Sequence, residues 1–411
     1  MSIGLSAALS AAASTWASAA TATSCGAPLV STCIDDDNVW PHAGSSHFLT
    51  VGATNTLEAG QVGFGVVTSY LSRPLTLRAA TPGPGGSIDD VIDNQVNSSF
   101  LWSYGVARRL ELDVVLPVTF GQSGTGASPI TGATSQTSLS RTAMRDMRFG
   151  LTYTFLARPP VDPAQHRADG FGLAGRFEMS APTGDTGEFA TNGTGVWAPG
   201  VAADYRYAQL LVGGEVGARI RPTQEFEGAT IGSQAVVAVG ASWDVLRNDM
   251  LTLGGEAFAL PTFAEQHAVD GGVGIHGLAS TPNGRYIAPA EWMLSARTAP
   301  IFGGAFEIQV AGGGPIPFSS DAVTNPRFRF SLSIRYAREW RDTDGDGVSD
   351  SEDKCPFVRG IADNPAGRGC PSSASTERVD LTSIPIEVPP VPVTPFTDPS
   401  KERSTRQAPP P

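Results

Sequence analysis

The sequence predicts an all-β fold, a transmembrane antiparallel β-barrel of about 12 strands followed by a small calcium-binding repeat and a Pro-rich tail. Three observations predict it. Residues 328–336, FRFSLSIRY, set Phe328, Phe330, Leu332, Ile334 and Tyr336 on one side of a strand and Arg329, Ser331, Ser333 and Arg335 on the other, because successive side chains of a strand alternate in direction. The same two-residue period recurs along most of the chain. Its last copy runs straight into an acidic loop, Asp342 to Asp353, with the spacing of calcium ligands.

Composition narrows the class. The chain has 411 residues, a net charge of −12, 41% hydrophobic and 17% charged residues and 47 Gly. The acidic balance argues against nucleic acid as a partner. No stretch beyond the N-terminus holds the roughly 18 consecutive apolar residues of a membrane helix, so a crossing must use strands. The four Cys form two local pairs, Cys25 with Cys33 and Cys355 with Cys370, which suits disulfides in an oxidising compartment. Closing a loop of about 15 residues contributes roughly 3 kcal/mol in the chain-entropy model.

Residues 1–34 carry no charge and are rich in Ala and Ser. Ala20-Thr21-Ala22 has the form of a small-residue cleavage site, although the positive n-region of a signal peptide is missing. Residues 1–22 are therefore expected to be a signal peptide and residues 23–60 a short, irregular periplasmic lead-in.

Residues 61–337 are expected to form the barrel. Segment 61–71 places Val62, Phe64, Val66 and Tyr70 on one face, and 96–106 does so with Phe100, Trp102 and Tyr104. After the tight turn at Arg108-Arg109, 110–120 sets Leu112, Val114 and Leu116 against Glu111 and Asp113. Segment 145–155 opposes Phe149, Leu151 and Tyr153 to Asp146 and Arg148; 170–181 opposes Phe171 and Phe177 to Arg176 and Glu178. Segments 195–207 and 208–220 oppose Trp197, Tyr205 and Val212 to Asp204, Arg206, Glu215 and Arg219. Segments 234–245 and 250–260 oppose Val237, Trp243 and Leu253 to Asp244 and Glu256. Segments 285–297 and 305–311 oppose Trp292, Leu294 and Phe306 to Glu291, Arg297 and Glu307. Segment 328–336 is the last.

The links alternate between a few residues and long polar stretches (72–95, 121–144, 182–194, 221–233, 261–284 and 312–327), with 157–169 the exception on the short side. Short turns at one end and long loops at the other is the layout of bacterial outer-membrane barrels. The polar faces carry opposite charges in mid-strand. In a barrel these line the lumen, either as a cross-linked, nearly closed interior or as a narrow polar pore. On soluble β domains they would be solvated, which leaves an exported calcium-dependent adhesion or binding protein as the alternative.

The lines YGVARRLELDVVLPV (104–118) and DMRFGLTYTFL (146–156), and the turn Pro182 to Asp185, resemble outer-membrane barrels of Gram-negative bacteria, especially predatory or soil species. Such barrels often stand upstream of a thrombospondin type 3 repeat and an OmpA-like peptidoglycan-binding domain. The resemblance covers about residues 60–337 and implies the cell outer membrane, with its lipids as neighbours and the C-terminal segment in the periplasm.

In the acidic loop, Asp342, Asp344, Asp346, Asp350 and Asp353 recur at positions 1, 3, 5, 9 and 12, Gly347 stands at the sharp turn, and Val348 would offer its backbone carbonyl. Ca²⁺ needs six or more oxygens, and without it the crowded carboxylates repel. A strand precedes the loop, and Lys354-Cys355-Pro356 and Gly369-Cys370-Pro371 follow. This resembles the thrombospondin type 3 repeat, which implies a structural Ca²⁺ and a bridge between the two Cys over residues 338–371. Residues 372–411 are rich in Pro and read as an extended tail, either a truncated spacer or a ligand for a periplasmic or cell-wall partner. They are too few for an OmpA-like domain. His42, His47, His166, His267 and His276 all fall in expected lead-in, turn or loop, and no nucleophile motif accompanies them. The expectation is a non-enzymatic barrel.

Overall fold

The computed structural model describes residues 25, 31–44, 46–79, 88–126, 139–158, 169–226, 229–246, 250–264, 278–279, 287–298, 306–319 and 322–337, and beyond the barrel 348, 353–355, 358–361, 364–365 and 367–371. The expected signal peptide, the Pro-rich tail and Asp342, Asp344, Asp346 and Asp350 lie outside the described residues.

Twelve long strands form one antiparallel sheet that closes on itself. They are β1 (Val62–Ala79), β2 (Ile88–Ala107), β3 (Leu110–Ser123), β4 (Met147–Leu156), β5 (Gly170–Ala181), β6 (Val196–Tyr207), β7 (Leu210–Arg219), β8 (Gln234–Asp244), β9 (Leu251–Ala259), β10 (Ala290–Thr298), β11 (Phe306–Pro315) and β12 (Phe328–Ala337). Each pairs with its sequence neighbour, and β12 closes on β1 from Gly63↔Ala337 to Ser72↔Phe328. Two-residue strands at Ala143–Met144 and Leu278–Ala279 attach to β3 and β1. Separate soluble β domains are not what forms. A closed sheet leaves no row of unpaired backbone groups, which hydrocarbon cannot satisfy.

The alternation decides which face is which. Phe64, Trp102, Leu112, Leu151, Tyr205, Val216, Trp243, Leu294 and Ile334 are all exposed on the outside, while Arg148, Arg176, Glu178, Glu256 and Arg335 are buried inside. Rings meet across neighbouring outward positions, as Phe64 with Trp102 (5.7 Å between centroids) and Phe306 with Tyr336 (5.0 Å). Such cross-strand pairs contribute about 0.2–1 kcal/mol each. At ~3.4 Å per residue and ~40° of tilt, the nine residues of β9 or β10 span roughly the 25 Å of an outer-membrane apolar band.

Three expectations are corrected. The link expected over 72–95 is largely strand: β1 and β2 continue past the other hairpins, across register shifts between Ser72 and Thr76, with Leu75 opposite Ile92. Arg73 takes φ 51° at this irregularity and pairs with Asp90 at 3.1 Å. The link expected over 221–233 contains a small hairpin, Gln224–Phe226 with Ala229–Ile231. Largest is the third: the segment expected as a periplasmic lead-in is irregular but lies inside the barrel.

Candidate functional site: the barrel interior and the segment that fills it

The described residues of 31–60 contain no helix or strand, and they thread the lumen from the long-link end to the short-turn end. An irregular backbone enclosed by protein must find partners for its polar groups, and here the inward side chains of the strands supply them.

At the long-link end the Cys25–Cys33 disulfide lies against Gly193 in the link between β5 and β6. Asp36 N–H donates to the Phe189 carbonyl (3.3 Å). Ile34 sits in an apolar cluster with Leu75, Val91, Ile92, Phe189, Ile231 and Val323, drawn from β1, β2 and the long links. Phe189, Ile231 and Val323 of three long links thus gather around one residue of the segment.

Just below, three consecutive carboxylates meet arginines. Arg145 pairs with Asp35 and with Asp36 (2.7 Å), and also donates to Thr119 (3.2 Å). Arg329, fully buried, forks onto Glu291 (2.7 and 3.0 Å) and places its remaining nitrogen 2.9 Å from Asp37. Two guanidiniums lie over the Trp40 ring, Arg219 at 4.2 Å and Arg148 at 4.8 Å from its centroid. Cations over an indole face gain about 0.5–2 kcal/mol.

In mid-barrel the roles reverse, with strand carboxylates receiving backbone N–H groups of the segment. Glu256 accepts from Leu49 N (3.1 Å), Thr50 N (2.8 Å) and Thr50 Oγ1 (2.6 Å). Glu215 accepts from Gly52 N (2.7 Å). His42 lies between Glu178 (2.8 Å) and Glu215 (3.3 Å). Hydrogen bonds to charged groups contribute about 1.5–3 kcal/mol each. Phe48, Leu49 and Val51 also pack into an apolar core with inward-facing Val67, Leu101, Val115, Leu211, Phe258 and Met293. The lumen is therefore not wholly polar, as the charge pattern alone implied. A Cβ on Gly240 would stand 2.8 Å from the Phe48 ring, so glycine leaves the recess that the ring occupies.

Towards the short-turn end, Arg335 donates to the Gly44 and Ser46 carbonyls (3.2 and 3.1 Å). His47 meets Arg206 and Arg297, Thr54 donates to Asp204 (2.7 Å) and Leu57 N to Glu111 (2.7 Å). Gly60 N–H then reaches the Gly105 carbonyl (2.7 Å) beside the start of β1. A cavity of about 40 Å³ remains among Trp40, His42, Arg176, Glu178, Glu215 and Arg219. At about 10–15 Å³ for each water, that is room for a few waters.

No protein-family model matches the chain, and no curated protein matches it. Solved structures similar to it include an outer membrane channel from Pseudomonas putida F1 (17% identity, 70% of this chain and 98% of that one, TM-score 0.43). The P. putida toluene transporter TodX (9%, 76% and 98%, 0.35) and the KdgM porin (8%, 66% and 98%, 0.33) are others.

The inward charges are where the alternation put them, and the structure brings them together around the segment. That a segment would fill the lumen was missed. The available signals were Asp35-Asp36-Asp37 directly after an uncharged stretch and glycines at inward positions such as Gly213 and Gly240. Of the metal-ligand candidates, Val348 is buried and Asp353 Oδ1 accepts from Cys355 N (2.6 Å). Asp353 Oδ2 is buried without a hydrogen-bond partner, which suits an oxygen kept for a cation. Cys355 and Cys370 are bridged, with 4.9 Å between Cα atoms, and Lys354 N–H donates to the Arg368 carbonyl (3.0 Å).

Proposed function

We propose that this protein is an outer-membrane β-barrel channel, a narrow polar pore closed by its own N-terminal segment. One observation carries the reading: a closed barrel, apolar outside, holds in its charged lumen a segment bound mostly through hydrogen bonds and ion pairs rather than through shared strands. A barrel built only as a rigid wall needs no removable filling; inward side chains could meet each other, as Arg206 and Asp244 do at 3.1 Å. The segment is joined covalently at residue 60, so it can leave its seat while staying attached. The barrel's first strand begins and its last strand ends on the short-turn side, and the C-terminal residues continue into the periplasm.

There, Asp342, Asp344, Asp346, Asp350 and Asp353, with the Val348 carbonyl, hold a structural Ca²⁺. The ion neutralises carboxylates that would otherwise repel and gives the neck a folded form. The unpaired Asp353 oxygen and the Cys355–Cys370 bridge support this reading.

Conductance across planar bilayers tests the pore. The full chain should be silent or open rarely. A chain lacking residues 33–57 should conduct steadily, with heat-modifiable mobility in unboiled detergent gels confirming that the barrel still forms. A shortened barrel that folds yet stays silent refutes the pore and leaves a structural role.

A further inference from the structure

Opening this lumen has an electrostatic consequence. Arg145, Arg148, Arg219 and Arg329 all lie at the long-link ends of their strands or just before them, and all four are buried. Their partners come largely from the segment. Arg145 meets the carboxylates of Asp35 and Asp36, and Arg329 meets that of Asp37 in addition to Glu291. Arg219 donates to the Asn38 carbonyl (3.0 Å) and Arg148 to the Pro41 carbonyl (3.2 Å). Glu178 lies 3.6 Å from Arg148. Nearby Asp146 is committed elsewhere, accepting from Gly184 N, Thr191 Oγ1 and Asn192 N in the link.

Withdrawal of the segment would strip these guanidiniums of three carboxylates at once. A buried charge that loses its partner is costly unless water or another ion replaces it. Anything that binds the vacated state and not the filled one favours opening by mass action.

We propose that Arg145 and Arg329, flanked by Arg148 and Arg219, form a binding site for carboxylate-bearing solutes, and that Asp35, Asp36 and Asp37 occupy it as internal stand-ins. The solute class of the channel is then carboxylate anions, which compete with the segment for the same arginines. Guanidinium forks match planar carboxylates, and carboxylates are what the site already holds. The inference rests on the channel reading for its role in transport, but the site can be tested without it.

The test is calorimetric titration of citrate into the detergent-solubilised full chain, as wild type, as D35A/D36A/D37A, and as that variant with Arg145→Gln added. The triple variant should bind citrate about ten- to a hundredfold more tightly than wild type, the range that loss of a competing charged contact converts to. Arg145→Gln should remove that gain. Equal binding by wild type and triple variant, no binding by a triple variant with normal heat-modifiable mobility, or indifference to Arg145→Gln each overturns the proposal. Citrate binding in a barrel that never conducts sinks the pore and keeps the site. Conductance without citrate binding does the reverse.

Discussion

Replacing Phe48 by Ala should unseat the segment. The ring is 3% exposed and packs in the lumen core with Leu49, Val51, Phe258 and Met293. It fills the recess over Gly240, and the β8 backbone cannot close in to replace it because it is fixed on both sides by β7 and β9. Removing a buried Phe costs about 3–5 kcal/mol. All of that falls on the seated state, because the barrel wall is unaltered. At about 1.4 kcal/mol per tenfold, the ratio of seated to unseated segment drops by roughly two to three and a half orders of magnitude. Open probability in planar bilayers and the rate of chymotryptic cleavage near Trp40 should both rise. Leu294→Ala, on the outer face and 64% exposed, is the control and should alter neither. If Phe48→Ala folds normally and both readouts match wild type, the ring does not hold the segment and the packing argument is wrong.

Three other outcomes are expected. Arg329→Gln strands buried Glu291 and half-buried Asp37, so the temperature at which unboiled mobility is lost should fall, in keeping with about 3–5 kcal/mol for the broken buried Arg329–Glu291 pair; an unchanged temperature refutes the pair's role. The double variant Cys25→Ser/Cys33→Ser releases a loop worth about 2–3 kcal/mol, and amide exchange should quicken over residues 31–36 but not over 49–57, where Glu256 and Glu111 hold the backbone. Chelation of calcium should speed proteolysis within residues 338–371 while leaving the heat-modifiable shift of the barrel intact; cleavage at the same rate with and without chelator argues against a bound ion.

The wall was legible because its signal is local. In FRFSLSIRY the period alone sends Phe330 outward and Arg329 inward, and no knowledge of a distant partner is needed. The same holds for Arg176 and Glu178 on β5, and the two disulfides followed from short Cys spacing. The filling was not legible, because an irregular segment has no period to read. Asp36 becomes a partner of Arg145 across 109 positions, Leu49 of Glu256 across 207 and Asn38 of Thr324 across 286.

The sequence by itself therefore determined which face of each strand points out of the barrel, since alternation is built into the extended backbone. Only the tertiary structure decided what occupies the space those strands enclose. Closing the sheet brings charges from many strands to one axis, and their need for partners within that enclosed space selects the one stretch whose backbone donors and three carboxylates satisfy them.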